Sequence, residues 1–240
     1  MHRICFEIGS LQIAWFGVLM VAAFFSGLVS WMLLGRREGR DIDYCSDLLL
    51  WVMGGGILGG RLAYVLSDPH YFLEKPVRIL LLTQGGLIFY GGFAGAAVGI
   101  VIFAWRRHEK VMPLLDCIIT SLPLGHLVGR IGCFMTGCCY GSRWDGPLGV
   151  RFPRDSFPWQ VQVEQGLIGK DSPSLPVHPV QLYEAAFNLL LYLVLLWTFK
   201  RRRRAGQVTA LYCTTYPVAR FLFEFLRGDE RMRYGGLSLD

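Results

Sequence analysis

Charge is scarce in this chain. Only 18% of its 240 residues are Asp, Glu, Lys or Arg, against about 25% in soluble domains. Meanwhile 53% are hydrophobic and the mean hydropathy is +0.40. That shortage excludes an ordinary soluble domain, and the long apolar runs place the chain in a bilayer. Acids are scarcer than bases, 18 against 24, for a net charge of +6. The basic residues sit mostly in short clusters beside apolar runs, which is the pattern of membrane topology. No RNA- or DNA-reading motif accompanies them, so nucleic acid is set aside. A cleavable signal peptide is also missing. Apolar residues run from near Ile13 past Leu34, too long for such a segment, and no small-residue cleavage site follows. The seven cysteines do not form a disulfide framework, because several lie inside apolar segments.

What is present predicts an all-α polytopic membrane protein, a single integral membrane domain over residues 1–240. Six transmembrane helices are expected, at about Ile13–Leu34, Asp47–Leu66, Gly86–Trp105, Leu114–Gly137, Gln181–Phe199 and Gln207–Leu226. The apolar run Val77–Thr83 is too short to span and reads as interfacial or re-entrant. Arg36, Arg37 and Arg40, then Arg106, Arg107 and Lys110, then Lys200 to Arg204 all fall on one side. That side is expected to be cytoplasmic. The N-terminus, the chain end after six spans and the Tyr140–His178 segment then lie outside. This segment (140–178) is a loop subdomain whose prolines exclude a long helix, so short strands or a small cap are expected.

Arg130 is the only Lys or Arg between Leu114 and Gly137. A cation at such a depth costs about 2.5–3.5 kcal/mol on insertion scales, so it faces a partner, water or an anionic ligand. Arg61, Arg220 and Arg227 also fall within or at the ends of apolar spans. Arg220, Glu224 and Arg227, spaced i, i+4, i+7, are expected on one helix face. They read as an internal salt bridge or, since acids are few, as guanidinium forks for a phosphate. His126, one turn before Arg130, shares its face.

Glycines recur in the second and third expected spans. They read as close helix packing. Alternatively, Gly85-Gly86 and Gly91-Gly92, flanking Tyr90, break the helix and expose N–H groups to an anion. Cys133, Cys138 and Cys139 match no strong zinc spacing and read as small core thiols, so no metal is expected. His178-Pro179-Val180-Gln181-Leu182-Tyr183-Glu184 marks a helix start, and Glu184 there needs a partner, plausibly an arginine.

Taken in order, five segments resemble the prolipoprotein diacylglyceryl transferases of bacterial inner membranes. They are Gly59–Leu66, Gly85–Gly92, Gly129–Phe134, His178–Glu184 and Arg220–Arg227. The resemblance implies transfer of a diacylglyceryl group from phosphatidylglycerol to the thiol of a lipobox cysteine in a prolipoprotein signal peptide. A thioether forms and glycerol phosphate leaves. It also implies seven spans, the seventh falling where this chain stops, a multi-pass inner-membrane location and no cofactor. A monomer is expected. Arg130 and Arg220 map to the family's essential arginines, with Arg61, Glu224, Arg227, Gly91 and Gly92 as further lipid contacts. Tyr90 stands where the family often has His, Cys133 where it has Asn, Cys138 where Glu is common, and Phe16 replaces Tyr in Trp15-Phe16-Gly17. Tyr90 and His126 are therefore the residues assigned to proton handling. The competing readings are a divergent relative using another acceptor or phospholipid, and a non-enzymatic lipid or anion transporter.

Overall fold

Aspartate caps mark where two of the helices begin. The computed structural model describes residues 4–8, 11–81, 86–228, 233–234 and 237–238. Strands β1 (Ile4–Ile8) and β2 (Leu11–Ala14) form a short antiparallel hairpin before α1 (Trp15–Arg37). Helix α2 (Ile42–Ser67) starts earlier than hydropathy suggests, because the Asp41 side chain accepts the Tyr44 N–H at 2.7 Å. It stops where Pro69 follows Asp68, and Asp68 in turn caps the short α3 (Pro69–Glu74). A 3₁₀ turn covers Pro76–Leu80, overlapping the run expected to be interfacial or re-entrant. Thr83, at the end of that run, lies outside the described residues, as do Gly85 and the chain end.

Helices α4 (Phe89–Arg106), α5 (Val111–Thr136), α6 (Phe157–Glu164), α7 (Val180–Arg201) and α8 (Gln207–Glu224) follow. A two-residue hairpin, β3 (Arg233–Tyr234) with β4 (Leu237–Ser238), comes last. Among the described residues, α1, α2, α4, α5 and α7 are long and apolar enough to cross a membrane. A helix, α8, forms where the sixth span is expected, but it is not one of these five. It falls short of that apolar standard because it carries Thr209, Thr214, Thr215, Arg220 and Glu224. Basic residues close α1 (Arg36, Arg37), α4 (Arg106) and α7 (Lys200, Arg201), where a cation also meets the negative end of the helix dipole.

The chain forms two compact units, residues 31–117 and residues 1–30 with 118–240. In the first, α2 and α4 touch backbone to backbone. A Cβ on Gly95 would sit 2.1 Å from the Gly55 oxygen, and one on Gly59 would sit 2.3 Å from the Gly91 oxygen. Gly91 and Gly92 thus lie inside α4 and do not break it, which corrects the alternative drawn from the Gly-Gly pairs. Packing through small residues accounts for them. Gly95→Val is expected to force these helices apart and destabilise the protein by at least the roughly 1–3 kcal/mol typical of overpacking. A lower thermal midpoint in detergent would register it. At the basic end of this unit Arg107 pairs with Asp47 at 2.6 Å, and Glu109 accepts from Tyr44 at 2.8 Å. An open apolar groove of about 740 Å³, lined by Leu50, Leu58, Leu62, Val98 and Ile102, runs along α2 and α4.

In the other unit, Gly125 and Gly132 bring α5 against α1. Their Cβ positions lie 3.3 Å from the Ala23 oxygen and the Leu19 Cβ. The 140–178 segment contains one short helix, α6, and otherwise turns and isolated bridges. Tyr140, Phe152 and Val177 form its core, with Phe134 and Val150 packed beside them. Isolated bridges join Val177 to Arg143 and Val150. The Gln162 side chain clamps Leu175 through both its N–H and its carbonyl.

Candidate functional site

With the small residues of α5 turned toward α1, the positions His126, Arg130 and Cys133 (i, i+4, i+7) share another face of the helix. There Arg130 Nε meets Glu184 Oε2 of α7 at 2.7 Å. Glu184 is 3% exposed, and its other oxygen, Oε1, has no hydrogen-bond partner among the described residues. Glu184 thus supplies a counter-charge for Arg130 and finds the arginine partner expected for it. Arg220 and Arg227 also lie close enough to act electrostatically on Glu184. Glu184 thus meets one guanidinium directly and feels the charge of two others. In water-poor surroundings such fields are far stronger than in bulk solvent.

Arg220 Nη1 pairs with Glu224 Oε2 at 2.7 Å along α8, so the expected i, i+4 bridge forms. Arg227 does not extend that face. Helix α8 stops at Glu224, and Arg227 lies beyond it in a bridge with Gly141, buried to 4% exposure. Ser142 N donates to the Leu226 oxygen at 2.8 Å and Gly228 N to the Tyr140 oxygen at 3.1 Å. The pairing needs of the 140–178 segment therefore override helix continuation.

Tyr216, one turn before Arg220, was not among the residues singled out from sequence. Its hydroxyl hydrogen-bonds Arg130, and its ring lies 5.3 Å from that of His126. The i−4 spacing from Arg220 is the signal that would have found it. His126 is half-buried, and its Nδ1 has no hydrogen-bond partner among the described residues. At the end of the 140–178 segment, His178 stacks on Trp144 at 4.6 Å and approaches the Tyr183 hydroxyl at 3.3 Å.

Besides Gly91 and Gly92, two expected site residues lie in the other unit. Arg61 is buried and donates to main-chain oxygens of Ile79 and Gly86 at 2.9 and 3.1 Å, and to those of Arg78 and Leu81. It stands near the rings of Tyr64 and Phe72. Its fork holds main-chain oxygens of the segment that leads into α4. Tyr90 sits exposed in the first turn of α4, its ring 5.8 Å from that of Phe89.

The cysteines gather beside this cluster. Helix α5 ends in a Schellman motif, with Gly137 at φ +81° in the left-handed region that glycine enters without penalty. Cys138 N reaches back to the Cys133 oxygen at 3.1 Å and Gly137 N to the Phe134 oxygen at 3.2 Å. That motif brings the side chains five residues apart into contact, here Cys133 and Cys138. Cys139 follows with φ +59°. The three sulfurs lie within 4.8 Å of one another. All seven cysteines are thiols rather than disulfides. Hydrogen bonds with Cys133 and Cys138 hold the Cys139 thiol below its ordinary pKa, and Arg227 and Arg130 add to the effect. Hydrogen bonding to Cys133 and then Cys139, followed by burial, raises Cys138.

Fold and site together define a multi-pass helical membrane protein with a buried arginine–carboxylate cluster. Within that class, the chain belongs to the prolipoprotein diacylglyceryl transferase family, whose pattern matches residues 3–239. A phosphatidylglycerol–prolipoprotein diacylglyceryl transferase of Clostridium tetani (strain Massachusetts / E88) is 31% identical over 239 residues, covering 99% of this chain and 90% of the relative. One from Xanthomonas campestris pv. campestris (strain B100) is 36% identical over 234 residues, with 93% and 78% covered. One from Pseudoalteromonas translucida (strain TAC 125) is 34% identical over 230 residues, with 93% and 79% covered.

Proposed function

We propose that this protein transfers the diacylglyceryl group of phosphatidylglycerol to the thiol of a lipobox cysteine in a prolipoprotein signal peptide, forming a thioether and releasing glycerol phosphate. The observation that carries the reading is the pairing of Arg130 with Glu184, which also feels the charge of Arg220 and Arg227, in a family member of this name. Breaking the glyceryl carbon–oxygen bond expels a phosphate. Fixed guanidiniums in a dry site stabilise that developing charge without reorganising. A guanidinium carries five N–H donors. Glu184 engages Arg130 through Nε, which fixes the fork while leaving donors for a second acceptor. Arg130 and Arg220 are assigned to the phosphate, with Arg227 and Glu224 setting the field. Gly91 and Gly92 keep their packing role.

His126 and Tyr90 remain the proposed proton-handling residues. The buried, unpartnered Nδ1 of His126 supports the first; Tyr90's exposed hydroxyl supports the second. The basic ends of α1, α4 and α7 are assigned to the cytoplasm by the positive-inside rule. The N-terminus and the 140–178 segment are then external, on a bacterial inner membrane, and the protein acts as a monomer.

The test is purified protein with phosphatidylglycerol and a lipobox peptide, read by mass spectrometry. The expected result is a peptide gaining one diacylglyceryl group at its cysteine, with stoichiometric glycerol phosphate. Absence of thioether with phosphatidylglycerol, but its appearance with another phospholipid, would replace this donor; lipid movement across vesicles without thioether would favour the transporter.

A further inference from the structure

The sulfur cluster is not explained by packing. Core thiols are usually fully buried, whereas Cys133, Cys138 and Cys139 are each only half-buried. Their geometry is built by two backbone devices, the Schellman stop at Gly137 and the left-handed turn at Cys139. The α5 end is further pinned by Gln181 of α7, fully buried, which donates to the Cys138 oxygen at 2.7 Å. Sulfurs on such a frame converge without rearrangement of a helix.

Three converging thiols within 4.8 Å match what a soft cation requires. Zinc–sulfur bonds of about 2.3 Å in a tetrahedral site place sulfurs roughly 3.8 Å apart, a closure that side-chain rotation can supply. Three thiolates and one Zn²⁺ carry a single net negative charge. Arg227 and Arg130, close enough to act on Cys139 electrostatically, offset it. Three protein ligands leave one coordination position open, as catalytic zinc sites do.

We propose that Cys133, Cys138 and Cys139 bind one zinc ion, and that its open position receives the acceptor cysteine as a thiolate. The second half of this proposal rests on the transferase reading above. Coordination releases the thiol proton, which passes through the proton-handling residues named above to the departing phosphate or to water. The sulfur lone pair then forms the bond to the glyceryl carbon. The carbon–oxygen bond breaks with its electron pair on the phosphate oxygen, beside Arg130. Zinc changes neither oxidation state nor amount, and the product thioether is a weaker ligand than the thiolate.

The experiment uses the full-length protein purified in detergent under reducing conditions without chelator. Elemental analysis should find about one zinc per chain, and Co²⁺ exchange should give thiolate-to-cobalt charge-transfer absorption, as expected for a three-sulfur site. Cys138→Ser and Cys139→Ser should each lose the metal while remaining monodisperse. Cys213→Ser, on the exposed side of α8, should keep it. Removing zinc should slow transfer by roughly 10²-fold or more, the scale of losing a proton-transfer group, and zinc addition should restore it. A protein without zinc whose three thiols all titrate, or one with a Cys133–Cys138 disulfide, would overturn the site. Undiminished transfer by zinc-free enzyme would overturn the catalytic half while leaving the transferase reading intact. Zinc bound as described, with no thioether formed under any condition, would uphold the metal site and remove the transferase reading.

Discussion

Arg130→Ala is expected to lower diacylglyceryl transfer by roughly 10³-fold or more, the scale seen when a preorganised donor to a developing anion is deleted. The fork stands between Glu184, which orients it at 2.7 Å, and the space where a phosphate must depart. A ground-state role alone would raise KM for lipid and spare kcat; a role in the departing charge lowers kcat as well. Arg130→Lys keeps the charge but replaces a planar fork by a point charge. It cannot hold Glu184 and a phosphate oxygen in two fixed directions, so a loss of roughly 10–10²-fold is expected. Initial rates with phosphatidylglycerol in mixed micelles separate these outcomes. An Arg130→Ala enzyme within about threefold of wild type would remove leaving-group stabilisation from this residue.

Arg130 was legible because a cation in an apolar span is costly wherever it occurs. Its partner was only half legible. Glu184 at a helix entry plainly needs a cation, but the α5–α7 pairing crosses two helices, and no spacing encodes it. The same limit applies to Tyr216, visible only as i−4 to Arg220. Periodicity misled once, at Arg227. The apolar Phe225 and Leu226 continue the helical pattern, yet the chain leaves α8 at Glu224 to pair with Gly141. A competing strand-like partner from the 140–178 segment lies outside any local window.

The glycines divided along similar lines. Their small-residue pattern correctly implied close packing, realised between α2 and α4. Gly91 and Gly92 taken alone also resembled a helix break, and backbone contact with Gly59 decided between the two. For the cysteines, the spacing matched no metal motif because the geometry comes from a helix stop. Cys133 and Cys138 flank Gly137 at the two positions that a Schellman motif joins. Spans were the most legible level, since hydropathy integrates over many residues; α8, diluted by its functional polar groups, was the least apolar of the six expected.

Glu184→Ala is expected to cost roughly 3–5 kcal/mol, the penalty for stranding one member of a buried ion pair. Here the stranded charge is Arg130, with Arg220 and Arg227 nearby and Glu224 already paired with Arg220. For a chain of this size the thermal midpoint should fall by about 6–20 °C. Glu184→Gln preserves shape and one acceptor while removing the charge, so its loss should be smaller. The double variant Arg130→Ala with Glu184→Ala removes both charges together. It should recover a large part of the stability lost by Glu184→Ala, because the guanidinium bonded directly to Glu184 is removed with it. It should not recover transfer. Stability restored without activity would separate the two duties of Arg130, being held by Glu184 and holding the phosphate. If the double variant were no more stable than Glu184→Ala, Glu184 would be stabilising the fold by some route other than this pair.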